Sequence, residues 1–291
     1  MLFKGSGVAL VTPFNKRGEI DFFELKNLIA FQIANNTKAL IILGTTGEAS
    51  TLSFEEREKI IKFVVAETNH KIPVIVGTGS NCTKTAIMLT KQAEDLGADG
   101  VLVVTPYYNK TNQQGLFLHY KTISATTKLP IILYNVPSRT GINLLPETVI
   151  KLSKIKNIVG IKEASGNLSQ IAEICRKSPK SFAVYSGDDL LTLPILSMGA
   201  SGVISVTANC YPQEVELLCN FSQKHDFFNA KHIHNRLFEI NKALFLDINP
   251  ICVKYYLSLI GFNVGKPRLP LVEASTEIKT RLKEVKQRYE S

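Results

Sequence analysis

The chain has 291 residues, 45% of them hydrophobic and 20% charged, which is enough to bury a large core and is typical of an ordinary globular protein. No apolar run approaches the ~18–20 residues of a membrane-spanning helix, and the N-terminus lacks the basic and apolar regions of a secretory signal, so we predict a cytoplasmic protein. The formal net charge of +9 comes from basic residues interleaved with acids, a pattern that favours anionic substrates and argues against nucleic-acid binding.

Short runs rich in Val, Ile and Leu recur through the first two thirds of the chain. They are nearly continuous in apolar character rather than alternating, as is typical of strands buried on both faces of a parallel sheet. The eight predicted strands are Gly7–Val11, Ala39–Leu43, Val74–Val76, Gly100–Val104, Ile131–Tyr134, Ile158–Ile161, Ala183–Tyr185 and Gly202–Val206.

Segments of helical periodicity lie between these strands. Examples are Phe54–Glu67, Thr83–Leu96 and Leu168–Cys175, with Ser53 and Asn167 as N-caps. Eight strand–helix units over about 220 residues predict an α/β fold, a closed (β/α)8 TIM barrel. A doubly wound open sheet is the alternative, and it is disfavoured because that fold usually has fewer strands.

The strand pattern ends after Tyr211-Pro212, and four segments of helical periodicity follow. These predicted helices are Val215–Lys224, Ala230–Phe245, Ile251–Ile260 and Ser275–Arg288. We therefore predict a barrel domain at residues 1–224 that carries the active site, and a C-terminal helical domain at residues 225–291 that takes part in assembly.

The five cysteines occur singly, without a Cys-x-x-Cys pair, and an odd number cannot pair fully within the chain. We predict reduced, mostly packed thiols. The sequence has no cluster of His and Cys ligands, so we also predict no metal site.

Lys162 ends an apolar run and is followed by Glu-Ala-Ser-Gly. The active site of such a barrel lies at the C-terminal ends of its strands. A buried lysine is costly unless its charge is compensated, and a neutral lysine amine forms Schiff bases with carbonyl substrates. For a single lysine, the commoner interpretation is a side chain that reaches from the strand end to solvent.

A glycine-flanked loop, Gly44–Glu48, follows the second predicted strand. The Thr45 and Thr46 hydroxyls and the free backbone N–H groups of such a loop suit a carboxylate. The alternative is a tight turn with a capping threonine.

Aromatic and basic side chains follow two further strands. Tyr134 ends the fifth strand, and a phenol beside a threonine hydroxyl can transfer protons. Arg139 comes five residues later and can bind a carboxylate. Tyr107 and Tyr108 follow the fourth strand. The occurrence of these side chains at the strand ends of one barrel predicts a shared site.

Three segments of the chain resemble the class I pyruvate-dependent lyases and synthases, and the resemblance extends over essentially the whole sequence. The segments are Gly44–Glu48, Tyr134–Pro137 and Gly160–Gly166. Within that family, Thr45-Thr46 and Ser138–Gly141 are most similar to members that condense pyruvate with L-aspartate 4-semialdehyde in lysine and diaminopimelate biosynthesis. The C-terminal Asn249-Pro250, Lys254 and Arg268–Leu271 are similar to the same members.

The resemblance implies roles for individual residues and an assembly. Lys162 would form the Schiff base with pyruvate, without a cofactor, in a homotetramer built as a dimer of dimers. The implied proton relay comprises Tyr134, Thr45 and Tyr108, the last of which would be donated to the neighbouring subunit's site. The implied substrate-binding residues are Thr46, Gly187 and Ile204 on the pyruvate side and Arg139 for the semialdehyde carboxylate.

The same resemblance bears on inhibition by lysine. Asn81 and Tyr107 fit the family's effector site, but Phe54, Arg57 and Thr85 stand where lysine-inhibited members carry histidines and a glutamate. An added positive charge and a missing carboxylate disfavour a cationic ligand. We therefore expect weak or no inhibition by lysine.

Two alternatives remain at this stage. Another aldolase of the same family, acting on N-acetylneuraminate or on a 2-keto-3-deoxy sugar acid, would share Lys162 and Tyr134, and Arg139 is the main discriminator. A non-catalytic binding protein on the same barrel is disfavoured because both of those site residues are present.

Overall fold

A computed structural model describes residues 1–290 as a closed barrel of eight parallel strands that follow one another in chain order. The predicted (β/α)8 barrel is confirmed, and the open sheet is wrong because β1 pairs with β8 as well as with β2. The strands are β1 Gly5–Ala9, β2 Ala39–Ile42, β3 Val74–Gly77, β4 Gly100–Val104, β5 Ile131–Asn135, β6 Ile158–Glu163, β7 Ala183–Ser186 and β8 Gly202–Ser205.

The helices surround the barrel and continue beyond it. They are α1 Phe22–Ala34, α2 Phe54–Thr68, α3 Thr83–Asp95, α4 Gln113–Ser124, α5 Pro137–Thr140, α6 Pro146–Leu152, α7 Leu168–Lys177, α8 Thr192–Ser197, α9 Pro212–Gln223, α10 Phe227–Ala243, α11 Ile251–Leu259 and α12 Thr276–Glu290. The predicted caps are confirmed. Ser53 forms a capping box with Glu56 at the start of α2, and the Asn167 side chain accepts a hydrogen bond from the Gln170 N–H in α7.

Most strand ends differ from the prediction by one or two residues, and two of the differences bear on the site or have an identifiable reason. β1 begins two residues early, at Gly5, because Gly5 and the fully buried Ser6 pair with β8. The two strands approach so closely that a Cβ on Gly202 would lie 2.0 Å from the Gly5 carbonyl oxygen. A search for runs of apolar residues does not find this start of the strand, because Gly5 and Ser6 do not carry apolar side chains. β6 extends to Glu163, so Lys162 lies within the strand.

The interior of the barrel is a small core separate from the layer between strands and helices. At its base, Phe3 stacks on Tyr185 with ring centroids 4.4 Å apart, and the Tyr185 hydroxyl donates to the Phe3 carbonyl at 2.7 Å. The base is therefore filled by side chains, and the opposite, C-terminal end of the strands is left for a site.

The four helices α9 to α12 correspond to the four predicted C-terminal helices, and α9 packs against β1. α10 packs on α9, and both α10 and α11 pack on α12. The division of the chain at residue 224 stays a prediction. Within residues 1–290, no helix is both long and apolar enough to cross a membrane.

A buried ion pair joins this C-terminal extension to the loop after β2. The Lys254 Nζ on α11 lies 2.5 Å from Glu48 Oε1, and both side chains are almost completely removed from solvent. The Arg268 N–H donates to the other Glu48 oxygen at 2.8 Å. Burial lowers the pKa of Lys254 to about 8, although Glu48 opposes that shift.

We expect the Lys254→Met variant to be destabilised by about 3–5 kcal/mol, because it leaves the Glu48 carboxylate buried without its counter-charge. The matched control is Lys177→Met, which removes an exposed pair with Glu173 and should cost less than about 1 kcal/mol. Urea unfolding followed by circular dichroism measures both. Equal stability losses in the two variants would contradict a structural role for the buried pair.

Candidate active site

A cavity of about 500 Å³ opens at the C-terminal ends of the strands. Four of the predicted site residues line it: Thr45, Tyr107, Tyr134 and Arg139. The volume lies within the range of sites for small-molecule substrates. The position agrees with the general placement of active sites in this fold.

Tyr134 and Lys162 are direct neighbours across the β5–β6 pair. They are register partners in the parallel ladder, so their side chains point to the same side of the sheet. The Lys162 Nζ lies 4.4 Å from the centroid of the Tyr134 ring. Lys162 is 5% exposed and forms no ion pair with a carboxylate among residues 1–290. The Lys162 Nζ is therefore packed against an aromatic face rather than against an acid.

Gly187 follows β7 and makes room for the Lys162 side chain. A Cβ at position 187 would lie 2.8 Å from the Ala164 Cβ, 3.0 Å from Lys162 Cε and 3.1 Å from Lys162 Cγ. Glycine is required here because of this close approach, not because of a left-handed backbone. Gly187, a predicted substrate-binding residue, therefore lies directly against the Lys162 side chain.

The Gly44–Glu48 loop is held by hydrogen bonds from two other segments of the chain. Leu43 and Glu48 both adopt positive φ angles of 54°, and the Thr12 hydroxyl donates to the Gly47 carbonyl at 2.7 Å. The Asn249 side chain donates to the Thr46 hydroxyl oxygen at 2.9 Å. Thr46 is buried by this contact, whereas Thr45 is partly exposed and lines the cavity.

Arg139 lies on the short helix α5 at the mouth of the cavity, with an exposed side chain. Its Nη2 donates a long hydrogen bond of 3.5 Å to the Asn249 carbonyl. Asn249 therefore contacts both the Thr46 loop and Arg139. From the sequence, Asn249 is named only for its resemblance to family members and no contact is predicted for it, because 110 residues separate it from Arg139.

Tyr107 and Tyr108 diverge although they are adjacent. Tyr107 lines the cavity, whereas Tyr108 is 92% exposed and has a φ of 70°. This loop is linked to the backbone of Asn81, whose carbonyl accepts a hydrogen bond from the Asn109 side chain at 2.9 Å. Within its own chain, Tyr108 does not reach the cavity that Tyr134 lines.

Two buried carboxylates support the strands of the site and had no predicted role. Asp189 accepts from the Val206 and Thr207 N–H groups at 2.9 and 3.2 Å, so it holds the chain that follows β8 and the fully buried Ile204. Glu163, the next residue after Lys162, accepts from Asn135 and Gln170 side chains. Burial raises the pKa of both carboxyl groups.

The position of Glu163 follows from strand geometry, since successive side chains of a strand point to opposite faces. Lys162 faces the barrel interior, and Glu163 faces the helix layer, where Gln170 of α7 donates to it at 3.0 Å. This alternation is the signal in the sequence that separates the two residues. No group of three or more His, Cys, Asp and Glu side chains that suits a metal ion occurs within residues 1–290.

Comparison with known proteins adds independent information. The model of the dihydrodipicolinate synthetase family matches residues 2–288. A 4-hydroxy-tetrahydrodipicolinate synthase from Alkaliphilus oremlandii is 53% identical over 270 residues, which are 93% of each chain. The dihydrodipicolinate synthase structure from Aquifex aeolicus matches with a TM-score of 0.97 and 47% identity over 99% of this chain and 98% of its own.

The dihydrodipicolinate synthase structure from Thermotoga maritima matches with a TM-score of 0.98 and 44% identity, over all of this chain and 99% of its own. These similarities span the barrel and the C-terminal helices together. They agree with the resemblance seen in the three sequence segments. The chain belongs to the dihydrodipicolinate synthetase family.

Proposed function

We propose that this protein condenses pyruvate with L-aspartate 4-semialdehyde to give 4-hydroxy-tetrahydrodipicolinate, through a Schiff base on Lys162, in lysine and diaminopimelate biosynthesis. The similarity to a 4-hydroxy-tetrahydrodipicolinate synthase and to a dihydrodipicolinate synthase structure supports this reaction. The observation that carries the mechanism is the Lys162 amine, which is buried, unpaired with any carboxylate of residues 1–290 and next to the Tyr134 ring.

Lys254 is the other buried lysine of this region, and its surroundings differ. Burial lowers its pKa to about 8, a shift that by itself would favour a nucleophile. However, its Nζ is 2.5 Å from Glu48 and lies 4.1 Å from the Phe14 ring centroid. An amine held in a buried ion pair is not available to a substrate, so we assign Lys254 a structural role.

The chemistry requires an amine and a nearby proton carrier. The neutral Lys162 amine adds to the keto carbon of pyruvate, and loss of water gives the imine. Loss of a methyl proton then gives an enamine, whose carbon adds to the aldehyde of the second substrate. The semialdehyde's own amino group closes the ring and displaces Lys162. Tyr134 is next to the amine and is our candidate for the proton transfers, together with Thr45.

The two substrates carry carboxylates, and the cavity offers separate groups for them. We place the pyruvate carboxylate at the Thr45–Thr46 loop, near Ile204 and Gly187. We place the semialdehyde carboxylate at Arg139, whose exposed guanidinium stands at the mouth. A fork of two charge-assisted hydrogen bonds is the usual way in which arginine binds a carboxylate.

An assembly completes the site in this proposal. Tyr108 is 92% exposed on a backbone of positive φ, and an exposed tyrosine is typical of a residue that is buried by a partner. We propose that Tyr108 enters the site of a neighbouring subunit and joins the relay of Tyr134 and Thr45. The working unit is then at least a dimer, and by family resemblance a tetramer of two dimers.

The first test of the mechanism is borohydride reduction in the presence of pyruvate. We expect a pyruvate-derived mass on the peptide that contains Lys162, because of the two buried lysines in residues 1–290 this one has no carboxylate partner. Peptide mass spectrometry measures it, and the peptide containing Lys254 is the internal control. Labelling of Lys254, or of no lysine, would falsify the mechanism.

The second test separates the two substrates. Arg139→Ala should raise the KM for aspartate semialdehyde by about 10- to 100-fold, the effect of losing a charge-assisted contact, while imine formation with pyruvate stays near the wild-type rate. Arg281→Ala, which alters an exposed arginine on α12, is the control. Equal losses for both substrates would remove Arg139 from its assigned role, and efficient cleavage of N-acetylneuraminate would assign the chain to another activity.

The third test concerns the shared site. A mixture of inactive Tyr108→Phe and Lys162→Ala chains should regain part of the activity, because some mixed dimers contain one site with both groups intact. A mixture of Tyr134→Phe and Lys162→Ala chains is the control and should stay inactive, since β5 and β6 of one chain supply both residues. Steady-state turnover after verified subunit exchange measures both. Absence of rescue in the first mixture, or an active monomer in sedimentation, contradicts the shared site.

A further inference from the structure

A second cavity, of about 550 Å³, lies at the opposite end of the barrel from the candidate active site. It is lined by residues that directly precede strands, namely Lys4 before β1, Phe182 before β7 and Ser201 before β8, and by residues at the ends of α7 and α9. All strands of a parallel barrel begin at the same end, so this N-terminal cavity opens at the face opposite the site. It shares no lining residue with the cavity of Thr45 and Tyr134.

The charged side chains of the N-terminal cavity are all of one sign. Lys4, Arg176 and Lys180 line it, and its lining residues include no Asp or Glu. None of the three forms an ion pair or a side-chain hydrogen bond within residues 1–290. The neighbouring Lys177 does not line the cavity, and it pairs with Glu173 on the same helix. The basic side chains of residues 176–180 that have no acid are therefore the ones that line the cavity.

The size of the cavity brings these charges into mutual range. A sphere of 550 Å³ is about 10 Å across, which is about one Debye length at 0.1 M ionic strength, so the charges are only partly screened from one another. Arg176 lies in the last turn of α7, where a cation interacts favourably with the helix dipole. Lys4 and Lys180 lie outside the helices, so the dipole does not account for them. A bound anion would relieve the repulsion among the three.

Two neutral side chains add to the character of the cavity. The Ser178 Oγ is removed from solvent and has no hydrogen-bond partner within the described chain, an arrangement that costs free energy. Rotation of this side chain toward the cavity would give the hydroxyl an anionic acceptor. Phe227, at the start of α10, is 39% exposed and supplies an apolar wall. The cavity therefore suits an anion that also carries an organic group, as a phosphate ester does.

We propose that the N-terminal cavity binds a small phosphorylated molecule with two or more negative charges, held by Lys4, Arg176 and Lys180. A guanidinium can bind two phosphate oxygens at once, and lysines bind phosphate as point charges. Several phosphate charges match three cations better than a single carboxylate does. The volume lies within the range of sites for small molecules. This site does not depend on the reaction assigned to Lys162.

Calorimetric titration of the full-length protein with inorganic pyrophosphate tests the binding, and inorganic phosphate and citrate are compared with it at constant ionic strength. We expect pyrophosphate to bind more tightly than the other two. Arg176→Gln and Lys180→Gln should each weaken its binding by about 10-fold or more, the effect of losing a charge-assisted contact. Lys177→Gln is the matched control, because it removes one charge from the same segment but not from the cavity, and it should leave the affinity unchanged.

Protection of lysines in the wild-type protein provides a second measurement, which does not depend on a folded variant. Acetic anhydride modifies exposed lysines, and peptide mass spectrometry compares the extent with and without pyrophosphate. We expect pyrophosphate to protect Lys4 and Lys180 and to leave Lys177 equally reactive. Four results would overturn the proposal: no binding of pyrophosphate, tighter binding of citrate, an equal loss of affinity in Lys177→Gln, or the same protection at all three lysines.

Discussion

The register between β5 and β6 is the constraint on which the site depends. Because Tyr134 pairs with Lys162 and Asn135 with Glu163, one step along the ladder separates the face to which we assign the reaction from a supporting face. Lys162 and the Tyr134 ring meet on the barrel interior. Asn135 and Glu163 form a hydrogen-bonded network on the other side. A shift of one residue would exchange the two faces and bury the amine in the helix layer.

Three basic side chains are buried at this end of the barrel, and they differ in the groups that surround them. Lys254 is paired with Glu48. Lys162 lies over an aromatic ring without an acid, which holds the side chain in place and leaves its nitrogen open to a carbonyl carbon. The Arg57 guanidinium donates a hydrogen bond to one backbone carbonyl, that of Gly77. The degree of compensation therefore separates the structural cation Lys254 from Lys162, the amine to which we assign the reaction.

Much of this arrangement was predictable from sequence, and the exceptions share a cause. Apolar runs identify the eight strands because parallel strands buried on both faces are nearly continuous in apolar character. The rule for strand ends then predicts Lys162, Tyr134 and the Gly44–Glu48 loop as site residues, and the structure places Lys162 beside Tyr134. Gly5 and Ser6 were missed because they join β1 through close backbone approach rather than through apolar side chains.

Sequence patterns also did not predict the contacts of three further residues, Glu48, Asn249 and Asp189. Each depends on a contact between segments far apart in the chain, such as Asn249 with Thr46 and Glu48 with Lys254. Periodicity describes one element at a time. Such partners become visible only when the C-terminal extension is placed over the mouth of the barrel.

That placement gives the extension a function beyond packing. Through Lys254, Arg268 and Asn249, it contacts the Gly44–Glu48 loop at three points, and through the Asn249 carbonyl it contacts Arg139. The loop assigned to pyruvate and the arginine assigned to the second substrate thus share one support outside the barrel strands. A movement of the Asn249 segment would displace both of these assigned groups, so their positions are determined by the extension as well as by the barrel.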